Sequence, residues 1–279
     1  LADPPRVCEL CGEPVEKDVH FPACGLFPAI TKRLPRTCRC REDAICGEAN
    51  REETEKLRRR LDKYRKYSLM DERFAESTFA NWVHRPDNKV LYNIATKYCE
   101  KWDAMKTKNH GILLHGKAGN GKTYASFAIA NELSRRNEAV MAVSVANLLK
   151  VIQDGYGHYG KDGEESEIEV LGAIRDAGLL ILDDLGVEQK SAWSYEKRYA
   201  VIDARYRAKK PIIITTNLNL DELRESLAIV DAKKGTRDYS NRIYNRIVEM
   251  CAIVEVSGES WRIQKGEQNK VDMFRELGL

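Results

Sequence analysis

Gly116-Lys117-Ala118-Gly119-Asn120-Gly121-Lys122-Thr123 sets three glycines, two lysines and a hydroxyl in one short stretch, the pattern G-x-x-x-x-G-K-[ST]. Glycines let backbone N–H groups turn inward around phosphate oxygens, and a helix N-terminus behind them adds partial positive charge. Lys122 would reach the β- and γ-phosphates, and the Thr123 hydroxyl would ligate Mg²⁺. A glycine turn that happens to contain Gly-Lys-Thr is the plainer alternative. The apolar run Gly111–His115 before the motif and the helix-like stretch Tyr124–Arg136 after it favour a nucleoside triphosphate site, with ATP as the expected ligand.

Downstream, Gly178-Leu179-Leu180-Ile181-Leu182-Asp183-Asp184 reads as a buried strand ending in two carboxylates. Such an end places Asp183 beside Mg²⁺ at the carboxyl edge of a parallel sheet. Asp184, or Glu188 in its stead, would polarise the attacking water. Lys210–Asn217 is another apolar strand with a polar end, where Asn217 can hydrogen-bond the attacking water or the γ-phosphate. Arg242 and Arg246 stand at i and i+4, on one helix face. An arginine offered to a neighbouring subunit's γ-phosphate would stabilise the charge that develops during hydrolysis; a salt-bridged pair satisfies the spacing equally well. Arg262, after a strand pattern at Ala252–Val256, offers a further guanidinium to the triphosphate.

A second kind of chemistry sits at the amino-terminal end, where six of the eight cysteines fall between Cys8 and Cys46. Cys8 and Cys11 form a C-x-x-C knuckle followed by Gly12, and Cys38 and Cys40 a C-x-C pair; two such pairs can wrap a tetrahedral Zn²⁺. Cys24 or His20, and then Cys46, are the substitutes in that ligand set. The segment is proline-rich and too short to build a core of its own, so a metal would supply its folding energy.

The elements that must hold these groups follow from the apolar pattern. Ala139–Val143 reads as a further buried strand, and Asn88–Met105 and Asn147–Gln153 as helices. Glu48–Met70 is a charged stretch with Leu57, Leu61 and Tyr64 on one narrow stripe, acidic early and basic late, which is read as a linker helix. The aromatics of Phe74–Trp82 read as packing, and Asp154–Gly163 as a connection whose Tyr and His faces could stack on bases. The expected organisation is thus a zinc-binding domain over residues 1–47, a helical linker over 48–72 and an ATPase domain over 73–279. The chain has 279 residues and a formal net charge of +3, too mild an excess to identify a nucleic-acid binder. No apolar run approaches the roughly 20 residues that span a bilayer, and Leu1–Arg6 does not read as a secretory signal. No membrane association is expected, and a cytoplasmic protein with reduced or metal-bound thiols is.

From about Arg73 to Arg262 these motifs resemble the AAA+ ATPases, specifically the replicative helicase loaders of the DnaC/DnaI type. The resemblance rests on the phosphate loop, Asp183-Asp184, Thr215-Thr216-Asn217 and Asn241–Arg246 in order. It implies an α/β fold: a three-layer AAA+ P-loop domain with a central parallel sheet, preceded by a small zinc-binding domain and a linker helix. It also implies that Arg242 is the arginine finger and Arg262 the sensor 2 residue, and that Ser194 and Tyr195 contact single-stranded DNA. The amino-terminal domain would grip a DnaB-type replicative helicase hexamer, and ATP-dependent self-assembly through the ATPase domain would help place that ring on single-stranded DNA. Asp184 stands where many AAA+ enzymes have Glu; the shorter acid implies hydrolysis that is slow or dependent on DNA or a partner. The alternatives are a transposition helper ATPase of the IstB type, which the zinc domain disfavours, and a zinc-containing DNA-binding regulator with an ATP switch.

Overall fold

The computed structural model describes residues 5–24, 28–42, 62, 64, 75–154, 167–188, 191–231, 236–238 and 241–278, and the chain divides into two compact units, residues 1–60 and 61–279. In the first unit, β1 (Glu16–Phe21) and β2 (Ile30–Pro35) pair antiparallel, with Glu16 opposite Pro35 and Phe21 opposite Ile30. Arg33 Nε donates to Asp18 Oδ1 across the pair at 2.9 Å. Most positions of both strands are exposed, and a two-stranded sheet with so little interior is marginal in water.

The second unit is built on five parallel strands: β3 (Gly111–His115), β4 (Val140–Ser144), β5 (Leu179–Asp183), β6 (Ile212–Thr216) and β9 (Cys251–Glu255). They lie in the order β4-β5-β6-β3-β9. Strands β3, β5 and β6 are buried along their whole length, as strands covered on both faces must be. Alternate residues serve opposite faces. Leu113, Leu180, Leu182, Ile212 and Ile214 join one apolar cluster, and Leu114, Leu179, Ile181 and Ile213 join another. The first cluster is closed by α4 (Val145–Asp154), α5 (Glu167–Asp176), α6 (Ala192–Ala208) and α8 (Arg242–Met250). The second is closed by α1 (Lys89–Glu100) and α3 (Lys122–Arg135). Helix, sheet and helix make the three layers, the α/β architecture expected from the sequence.

Smaller elements complete the unit: α2 (Trp102–Thr107), α7 (Leu220–Ser226), the hairpin β7 (Ile229–Asp231) and β8 (Thr236–Asp238), and α9 (Trp261–Glu276), which buries no residue. The single helix expected over Asn88–Met105 is interrupted at Lys101, between α1 and α2. Arg205 of α6 is completely buried. Its guanidinium donates to the carbonyls of Ala177 at 2.6 Å, Ile174 at 2.9 Å, Gly178 at 3.3 Å and Pro211. That staples the starts of β5 and β6 together. Of the expected linker helix, Asp62 and Tyr64 are described. Tyr64 is 4% exposed and packs into the core of the second unit, while Leu57, Leu61 and the loop over residues 155–163 lie outside the described residues. Among the described residues no helix is long and apolar enough to cross a membrane.

Because β5, β6 and β3 are adjacent and parallel, the turns that follow them meet along one sheet edge. Ligands in open parallel sheets bind at that edge.

Candidate nucleotide site and cysteine cluster

The turn after β3 needs left-handed backbone at Gly116, Gly119 and Gly121, with φ of +139°, +87° and +95°, a region that L side chains rarely enter. Gly119 is also pressed against Ser260, and a side chain there would collide with it. Asn120 Nδ2 donates to the Val256 carbonyl, and Trp261 N to the Gly119 carbonyl at 2.9 Å. The loop is therefore held from the β9–α9 side as well as by its own strand. Lys122 opens α3, is 4% exposed, and donates from Nζ to Gly116 O and Lys117 O, both at 2.8 Å. Burial pulls its pKa below that of a free lysine, and the charges of Asp184 and Asp183 oppose that pull.

The ends of β5 and β6 are joined by side chains. Thr123 Oγ1 donates to Asp183 Oδ1 at 2.8 Å and Thr215 Oγ1 to the same oxygen at 2.6 Å. Burial raises the Asp183 pKa, and the hydrogen bond from Thr215 works against that rise. Asp184 takes left-handed backbone, φ +57°, and its N–H donates to Thr215 Oγ1 at 3.0 Å. Asn217 Nδ2 donates to Asp184 Oδ1 at 3.1 Å. Glu188 is engaged elsewhere. It forms a buried ion pair with Arg198 at 3.0 Å and accepts from Gly186 N at 2.9 Å, so of the two acids considered for the attacking water only Asp184 faces the site.

These groups border one cavity of about 600 Å³, walled by Ala118 to Thr123, Asp183, Asp184, Asn217 and Arg262. Arg85 and Lys265 add positive charge to its wall. The Thr123 hydroxyl and the Asp183 carboxylate offer the hard oxygen donors that Mg²⁺ requires. Sequence reasoning missed Arg85, whose guanidinium lies 5.3 Å from the Trp261 ring centroid, and it placed Thr215 only within the Thr215-Thr216-Asn217 motif, with no role of its own. Of the aromatics read as packing, Trp82 serves both purposes. Trp82 meets Tyr92 and Tyr124 edge-on, each with centroids 5.3 Å apart, and also lines the cavity.

Several other expected residues lie away from this cavity. Arg242 is exposed at the start of α8. Arg246, its expected companion, turns inward: it pairs with Asp203 at 2.8 Å and lies over the Tyr199 ring at 4.7 Å. Ser194 is 4% exposed, and its hydroxyl closes a capping box with Ser191, accepting from Ser191 N at 3.1 Å. That hydroxyl serves the helix end. Tyr195 is half-buried and stacks with Tyr199, centroids 6.4 Å apart.

In the first unit the sulfurs of Cys8, Cys11, Cys38 and Cys40 all lie within 4.8 Å of one another. Cys8 and Cys40 sulfurs are 3.6 Å apart, and those of Cys38 and Cys40 3.3 Å. Four thiolates around Zn²⁺ at about 2.3 Å would stand about 3.8 Å apart, so this donor set fits a tetrahedral zinc with small adjustment. Gly12, φ +70°, turns the knuckle and donates its N–H to Cys8 O at 2.8 Å. Backbone N–H groups of Cys11 and Leu10 hold the Cys8 thiol down to about 6, as suits a metal-binding thiolate. Cys24 is exposed and stands apart from the group. The His20 ring faces the Thr31 hydroxyl at 3.1 Å, and Cys46 lies outside the described residues.

A protein-family model described as "IstB-like ATP binding protein" matches residues 44–269. The chain is 29% identical over 133 residues to the replicative helicase loader DnaC of Escherichia coli (strain K12), covering 48% of this chain and 51% of DnaC. It is 24% identical over 214 residues to the replicative helicase loader DnaI of Bacillus subtilis (strain 168), covering 74% of this chain and 67% of DnaI. It thus spans about half the length of the DnaC relatives it matches. Among solved structures, the crystal structure of DnaI superposes with a TM-score of 0.53 at 26% identity, over 68% of this chain and 95% of that one.

Proposed function

Since this chain belongs to the IstB-like ATP-binding protein family, whose model spans residues 44–269, we propose that it is an ATP-hydrolysing helicase loader. The observation that carries the ATP-hydrolysing part of this reading is the joining of Thr123 to Asp183 and of Asn217 to Asp184 at one edge of the cavity. Lys122 and the N–H groups of Gly116 to Thr123 cradle the phosphates. Thr123 and Asp183 would hold Mg²⁺, which would supply positive charge against that developing on the phosphate oxygens. Asp184 orients the attacking water, and Asn217, bound to Asp184, senses the γ-phosphate. Arg262 reaches the triphosphate from α9 of the same chain. Arg242, exposed and outside its own cavity, completes the site of a neighbouring copy. With an aspartate orienting the water, turnover is slow and rises with DNA or partner.

In this reading residues 1–47 form a domain that Zn²⁺, held by Cys8, Cys11, Cys38 and Cys40, keeps folded. That domain docks on a DnaB-type helicase hexamer, residues 48–72 link it to the ATPase domain at 73–279, and the protein acts in the cytoplasm. Single-stranded DNA is met at the start of α6, where Tyr195 rather than Ser194 retains exposure. The experiment is association with a DnaB-type hexamer followed by loading of that ring on circular single-stranded DNA. Binding to a transposase in place of the helicase would instead support an IstB-type transposition helper, the second reading that the family description favours.

A further inference from the structure

Thr215 is the penultimate residue of β6, is completely buried, and does not line the nucleotide cavity. Its one hydroxyl nevertheless meets both aspartates. It donates to Asp183 Oδ1 at 2.6 Å and accepts from the Asp184 N–H at 3.0 Å. Its carbonyl accepts from Leu185 N at 2.9 Å. Thr216, next to it, donates to the Leu185 carbonyl at 2.7 Å, a contact that reaches neither carboxylate.

The consequences differ for the two acids. Oδ1 of Asp183 receives hydroxyls from Thr123 and Thr215 together, and two donors converging on one oxygen fix the plane of the carboxylate. Asp184 needs φ +57° to turn its side chain toward Asn217, a conformation that a buried acceptor for its N–H stabilises. A hydroxyl has one donor and can accept as well, so Thr215 satisfies both demands at once. Valine fills nearly the same volume and satisfies neither.

We propose that Thr215 is a positioning residue that sets the metal-binding plane of Asp183 and the water-facing turn of Asp184 through a single hydroxyl. The proposal rests on the ATPase reading above. It extends the site from the groups that touch the nucleotide to the buried group that aligns them, and it makes the end of β6 a part of the metal site as well as of the γ-phosphate sensor.

The test compares Thr215→Val, Thr215→Ser and Thr216→Val in the full chain. ATP turnover and nucleotide affinity are measured against Mg²⁺ concentration, with affinity in EDTA and the melting temperature as controls. Losing a buried hydrogen bond to a charged group is expected to lower kcat by about tenfold or more in T215V and to raise the Mg²⁺ needed for half-saturation by a similar factor. Nucleotide affinity in EDTA should stay within about twofold of wild type. T215S keeps the wild-type Mg²⁺ requirement, and T216V keeps it even where it lowers the melting temperature. A T215V protein with wild-type turnover and wild-type Mg²⁺ dependence overturns the proposal. If T215V does not fold, Thr215→Ala takes its place in the same assay, and equal Mg²⁺ requirements in T215A and T215S overturn it. A wild-type protein that binds no nucleotide would sink the ATPase reading itself, whereas active wild type with indifferent variants sinks only the role of Thr215.

Discussion

Asn217 Nδ2 lies 3.1 Å from Asp184 Oδ1, so the residue proposed to sense the γ-phosphate holds the residue proposed to orient the water. The contact joins the ends of β6 and β5, and it requires Asp184 to sit in left-handed backbone at φ +57°. In the proposed reading, a change in phosphate occupancy at Asn217 would reach Asp184 through this one hydrogen bond.

Asn217→Ala should lower kcat for ATP by about ten- to a hundredfold while leaving nucleotide affinity near wild type, the signature of an interaction that matters in the transition state more than in the ground state. Steady-state turnover alongside equilibrium nucleotide binding checks it. Equal losses in binding and turnover would move Asn217 from sensing to simple ground-state contact.

Asp184→Glu should not convert the site into a faster one. Aspartate tolerates left-handed backbone better than longer side chains do, and the conformation costs about 1–2 kcal/mol for an ordinary residue. The variant is expected to melt several degrees lower without a gain in kcat, as read by thermal unfolding and turnover. Asp184→Asn should retain nucleotide but lose about a hundredfold or more in rate.

The Arg198–Glu188 pair, with side chains 3% and 6% exposed, should behave as a buried ion pair in which removing one partner strands the other. Arg198→Met is expected to cost about 3–5 kcal/mol in unfolding free energy, and the double variant with Glu188→Gln to recover part of it. Denaturant unfolding of the single and double variants measures this, and additive losses would contradict it.

Much of this was legible before any coordinates. The phosphate loop and the two aspartates announce themselves by residue type, and β3, β5 and β6 by unbroken apolar runs. The paired cysteines pointed to the four sulfurs that converge. What was hidden depends on facing elements. The i, i+4 spacing of Arg242 and Arg246 says nothing of Asp203 and Tyr199, which draw Arg246 inward. Ser194 looks like any surface serine until Ser191 caps the helix against it. Thr215 belongs to the Thr215-Thr216-Asn217 motif, but its own contacts were hidden, because its partners lie on β5 and in the turn that follows.

Removing metal should unfold the first unit and spare the second, since the hairpin has little core and the sulfurs of Cys8, Cys11, Cys38 and Cys40 are the groups that close it. Purified protein is expected to carry about one zinc per chain, lost on combining Cys8→Ser with Cys11→Ser. Metal analysis with amide spectra before and after chelation checks both statements. A metal-free preparation with an intact hairpin would contradict them.

Mixing two inactive variants tests whether Arg242 acts across copies. Arg242→Ala keeps its own cavity but offers no finger, and Lys122→Ala offers the finger but cannot hold phosphate. The mixture should regain turnover that neither variant has alone, with the restored rate rising with total concentration. A mixture no more active than the sum of its parts would place Arg242 outside the reaction.

The most direct measurement of the whole account is the loading of a DnaB-type hexamer onto circular single-stranded DNA with ATP, using wild type beside Lys122→Ala. The account predicts that both proteins bind the helicase, and that wild type leaves the ring on the DNA while the variant does not. Failure of the wild-type protein to associate with any DnaB-type ring, or equal loading by the two proteins, would contradict it.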